Sequence, residues 1–147
     1  METGYINLIA EQVATHLGID PIPTFGRFMK YNGHAKASYY GRKNVFTLPE
    51  WLENENNFYQ IACIAHEVSH FVDIKGGHRR TFRQSEIKAL ALFDLQPHYV
   101  YGLRYFQWLT ILGTNTVVWS HNTAKTKLRS TRQSWREMYE NESLNDY

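Results

Sequence analysis

Five residues, His66-Glu67-Val68-Ser69-His70, carry the clearest chemistry in this 147-residue chain, and Gly76-Gly77-His78 follows closely. On a helix, residues four apart share a face, so His66 and His70 can offer imidazole nitrogens to one ion. Glu67 projects about 100° further round the helix. From there it can reach a water at the ion without taking a coordination position. Two imidazoles, a metal and a nearby carboxylate base make the equipment for hydrolysing an unactivated amide at neutral pH.

The surrounding residues are those of a helix with one core-facing side. Counted from His66, Ile61, Ile64, Ala65, Val68, Phe71 and Val72 fall on the opposite arc. Tyr59, Cys63 and Asp73 share the histidine face, and the helix is expected to reach about Lys75. A catalytic zinc needs a third protein ligand and an open fourth position. His78 is preferred, because Gly76-Gly77 offers a left-handed turn that swings the chain back towards the ion. Glu86, on the next helix, is the competing ligand. Asp73, one turn beyond His70, is the expected acceptor for a ligand N–H. Tyr39, Tyr40, Arg79, Tyr99 and His121 are open candidates for an additional oxyanion donor.

With Phe82 four residues after His78, this stretch resembles the SprT-like zinc metallopeptidases, the group that includes Spartan, and is similar to the small minigluzincins. The match is sharp over residues 58–86, architectural over 5–57, and absent beyond about residue 95. The resemblance implies one Zn2+ held by His66, His70 and His78. It also implies Glu67 as catalytic base and Phe82 packed behind the site. The implied function is a zinc-dependent endopeptidase acting on a protein or peptide substrate. The alternative is a catalytically silent, zinc-stabilised binding protein, with nucleic acid as one partner. Seven residues separate His70 from His78, between the spacings of the smallest members and of Spartan. The cysteine-rich zinc ribbon of many SprT-like proteins cannot form, because Cys63 is the only cysteine.

The elements that must position these residues follow from pattern. Tyr5, Leu8, Ile9, Val13 and Leu17 recur at helical spacing over residues 4–18 and stop at Gly18. Beyond Pro21 and Pro23, residues 24–31, 35–40 and 44–48 read as strands, with Asn32-Gly33 as a hairpin turn. The expected fold is α+β and zincin-like: an N-terminal helix, a three-stranded antiparallel meander, the HExxH helix and further C-terminal helices. One helix is expected over about 79–95. Another is expected from Pro97 through Leu103, Phe106, Leu109 and Leu112 to Gly113. By resemblance, a strand in the region from Tyr39 and Tyr40 to Leu48 lines the cleft and pairs with substrate.

Composition bounds the rest. The length suits one core, expected as a metallopeptidase domain over 1–122 with a charged tail over 123–147. A net charge of +2 does not by itself argue for nucleic acid. The tail's Lys125, Lys127, Arg129, Arg132 and Arg136, with Trp135 among them, are the residues that would bind phosphate weakly. The acidic run after Arg136 offsets them. One cysteine fits a reducing compartment, and no signal peptide or membrane span is visible, so a cytoplasmic protein is expected.

Overall fold

A computed structural model describes residues 1–38 and 42–121. The chain forms two compact units, Met1–Leu92 and Phe93–Tyr147.

The first unit opens with helix α1 (Thr3–Leu17), which buries Ile6, Ile9, Ala10, Val13 and Ala14. Gly18 ends it in the left-handed conformation, and its N–H caps the carbonyls of Ala14 and Thr15. Strands β1 (Thr24–Met29), β2 (Ala35–Ser38) and β3 (Lys43–Pro49) form one sheet. A 3₁₀ turn, Glu50–Asn54, leads to α2 (Asn57–Ser69), whose Asn56 side chain accepts from the Tyr59 N–H at 2.9 Å. A second 3₁₀ turn, His70–Val72, follows, and then α3 (Arg80–Ala91). Helix α1 packs on α2, α3 and β1, and α2 packs on β3. Phe46, Leu48, Leu52, Ile64 and Leu90 are buried in this core.

The α+β class holds, but the meander does not. Sheet order is β1-β3-β2, with β1 parallel to β3 and β2 antiparallel to β3. Phe46 and Leu48 of this central strand are wholly buried. Phe25, Phe28 and Phe46 pack together across the parallel pair, with ring centroids 4.9 and 5.9 Å apart for Phe25–Phe28 and Phe25–Phe46. Asn32-Gly33 therefore does not close a hairpin. The Tyr31 carbonyl accepts from Trp51 Nε1 at 2.8 Å, and the His34 carbonyl accepts from the Thr47 N–H at 2.8 Å. The segment extends the β2–β3 ladder instead of reversing on β1.

The second unit corrects the expected fourth helix. Strands β4 (Leu95–His98), β5 (Trp108–Ile111) and β6 (Val117–Ser120) make an antiparallel sheet in that order. Leu103, Phe106, Leu109 and Leu112 are spaced by three, which mimics a helix. Gly102 and Gly113, with φ of 83° and 76°, interrupt any helix there and serve as turns between strands. Leu95 and Pro97 are buried and alternate with half-buried Gln96 and His98, the two-residue period of a strand. His98 stacks flat on Trp108 at 4.8 Å. No described helix is long and apolar enough to cross a membrane.

Candidate metal centre

His66 and Glu67 lie in the last turns of α2, and His70 begins the 3₁₀ turn that follows. The helix ends six residues earlier than its pattern predicts. Past His70 the backbone tightens, so the count of 100° per residue no longer applies to Asp73. Asp73 sits beyond the helix with φ −150° and ψ 83°, and its carbonyl accepts from the Gly76 N–H at 3.0 Å. Its carboxylate lies against the Gly76 Cα, leaving no room there for a side chain. Gly77 takes φ 62°, the left-handed turn that the paired glycines imply. The chain then returns and places His78 just ahead of α3.

The three histidines converge. Their ligand atoms all lie within 4.8 Å of one another. Nε2 of His78 is 3.2 Å from Nε2 of His66. Two imidazole nitrogens on a tetrahedral zinc are expected about 3.4 Å apart, so this edge already has the right length. His66, His70 and His78 therefore form a cluster that could hold a metal ion.

Helix α3 carries more of the site than its ligand. Phe82 is 3% exposed and touches all three imidazoles, its ring centroid lying 4.8 Å from His66, 4.3 Å from His70 and 4.9 Å from His78. Glu86, fully buried, takes the Nδ1–H of His66 at 2.7 Å. With Nδ1 so engaged, Nε2 of His66 is left facing Nε2 of His78. His78, Phe82 and Glu86 are spaced by four and run as one stripe. Among the described residues, Glu86 and not Asp73 is the carboxylate that meets His66. Its signal was present in the sequence as the stripe H-x-x-x-F-x-x-x-E.

The charges respond to this crowding. Burial works against the imidazolium of His66, but the charge and hydrogen bond of Glu86 outweigh it and raise the imidazole above its ordinary value. Burial, followed by the charges of His66 and His78, lowers His70 to about 3, so it stays neutral and available as a ligand. Burial pushes Glu67 up to about 7; His66 pulls it down and Glu86 pushes it up further. Glu67 is 8% exposed. Cys63 is half-buried and hydrogen-bonded with Tyr59, and burial pushes both their groups upward.

One contributor carries no conspicuous chemistry in the sequence. A methyl group on Gly33 would collide with the Thr47 carbonyl oxygen and come within 3.0 Å of Glu67 Oε2. Gly33 is thus where the chain beside β2 passes directly over the base. Leu48 belongs to the central strand β3, which is paired on both sides; β1 and β2 are the edge strands. Tyr39 and Tyr40 lie outside the described residues, as do Lys125, Lys127, Arg129, Arg132 and Arg136. Arg79 is exposed at the start of α3, while Tyr99 and His121 belong to the second unit.

No family model matches the sequence, and no curated protein matches it. Among solved structures, the chain is similar to one described as the crystal structure of the metallopeptidase zymogen of Pyrococcus abyssi abylysin. The TM-score is 0.45 and the identity 16%, over 60% of this chain and 88% of that one.

Proposed function

We propose that this protein is a zinc-dependent endopeptidase of the SprT-like kind. The observation that supports it most is the convergence of His66, His70 and His78 beside Glu67, a buried carboxylate. A purely structural zinc site closes with a fourth ligand and has no use for such a base.

Zinc held by the three histidines would supply Lewis acidity towards water and the scissile carbonyl. The protein's own groups do the rest. Glu86 holds the His66 ring in the ligand tautomer, and Phe82 keeps the three rings in register. Glu67, with a carboxyl near 7, takes a proton from the attacking water and passes it to the departing amine. The outer edge of β2 offers backbone N–H and C=O groups to an extended peptide.

The test is elemental analysis of the purified protein together with a cleavage assay on a random-sequence peptide pool. One zinc per chain, and cleavage that disappears in Glu67→Gln while zinc stays, is the expected result. No zinc after refilling at neutral pH, or undiminished cleavage by Glu67→Gln, overturns the proposal. Zinc without any cleavage leaves the silent binding protein as the better description.

A further inference from the structure

Gly76 and Gly77 stand together before His78, and each is glycine for a different reason. Gly77 has room, since a methyl group there would meet no atom within 4 Å, but its φ of 62° is one that side chains rarely adopt. Gly76 has no such φ. A methyl group on it would instead fall on the Asp73 carboxylate, 2.8 Å from Cγ and closer still to Oδ2. Gly77 serves the backbone, and Gly76 makes space for a carboxylate.

That carboxylate lies over its own turn. The Gly76 N–H donates to the Asp73 carbonyl at 3.0 Å, closing Asp73-Ile74-Lys75-Gly76 into one reversal. Asp is favoured at the first position of such a turn and Gly at the fourth, because a short acidic side chain folds back over the backbone that follows it. Val72, Asp73, Lys75 and Gly77 are exposed, so little apolar burial fixes the course of this stretch.

Its place in the chain gives the turn its importance. His70 precedes it and His78 follows it, and their ligand atoms lie within 4.8 Å of each other and of His66. A metal held there closes residues 71–77 into a loop with both ends on one ion. A loose loop must be ordered at the expense of binding, whereas a folded one delivers His78 in place.

Resting on the zinc site of the reading above, we propose that Asp73 is a positioning residue for the third ligand. By lying across Gly76 it fixes the turn, and so sets where Gly77 reverses the chain and where His78 arrives. Its effect reaches the ion through the backbone and not through a ligand ring.

The experiment measures zinc affinity of the full chain by competition with a chromophoric chelator, and thermal unfolding of the metal-free form. Asp73→Ala is expected to weaken zinc binding about fivefold, the size of one local polar contact. Asp73→Asn, which folds back over a turn equally well, should stay within about twofold of wild type. Gly76→Ala pushes the carboxylate aside, so it should weaken zinc as Asp73→Ala does, and the double variant should be no worse than either. In a His78→Ala background, where zinc no longer depends on the loop, Asp73→Ala should change affinity by less than about twofold. The metal-free Tm of Asp73→Ala should stay within about 2 °C of wild type, as befits an exposed side chain. Unchanged zinc affinity in Asp73→Ala, or an equal loss with and without His78, overturns the positioning role and leaves the zinc site standing. Wild-type protein that takes up no zinc overturns the zinc site and the positioning role together.

Discussion

Replacing Glu67 with Gln in the metal-free protein should stabilise it, by an amount that depends on pH. Burial, opposed by His66 and assisted by Glu86, raises the Glu67 carboxyl from 4.5 to about 7 on folding. A carboxyl raised on folding favours the native state while protonated, and that contribution is fully present below 4.5. It is lost as pH rises through 7, because the native state must then hold an ionised group in a desolvated place. The rise corresponds to about 3 kcal/mol at pH 8. Gln is nearly isosteric and cannot ionise, so it escapes this cost. For a chain of this size the difference in Tm should be about 6–12 °C at pH 8, and close to nothing near pH 4.5. The assay is denaturant or thermal unfolding of chelator-treated wild-type and Glu67→Gln proteins across that range. His70 loses stability for both proteins as pH falls below its ordinary value of 6.5, and the comparison cancels it. A difference in Tm that stays constant from pH 5 to 8 would refute a desolvated, ionising Glu67.

Three further substitutions test the way the site is held. Glu86→Gln keeps an acceptor for the His66 Nδ1–H but removes its charge, and should weaken zinc binding about 10- to 100-fold in chelator competition; unchanged affinity would show that Glu86 does not tune the ligand. Phe82→Ala should cost about 3–5 kcal/mol in denaturant unfolding, because it empties the space behind three imidazoles, while Phe82→Leu should cost less. Gly33→Ala should lower stability by about 1–3 kcal/mol and cut cleavage with zinc content unchanged, because its methyl meets the Thr47 carbonyl and the Glu67 carboxylate. Wild-type melting and turnover in Gly33→Ala would show that this strand does not pack on the base.

Local pattern was enough for the pieces governed by near neighbours. The period of 3.6 marked α1, α2 and α3, Gly18 marked the end of α1, and Gly77 marked the reversal before His78. Histidine spacing was enough to bring His66 and His70 onto one face. It failed where two periods coincide: Leu103, Phe106, Leu109 and Leu112 fit a helix, and only Gly102, Gly113 and the partner strands decide for β5.

By itself, then, the sequence determined that this chain has a helix carrying two histidines four apart, with a glutamate beside them and a third histidine within reach. Those features depend on contacts within about a dozen residues. Tertiary structure alone decided that β3 is central, with β1 and β2 as the edges, because strand pairing joins segments distant in sequence. It decided that Glu86, twenty residues from His66, orients that ring, while Asp73, only seven away, does not. It also turned Asn32-Gly33 from an expected turn into the place where the segment before β2, lacking a side chain, passes over Glu67. Such close approaches depend on the meeting of distant segments, for which local spacing carries no information.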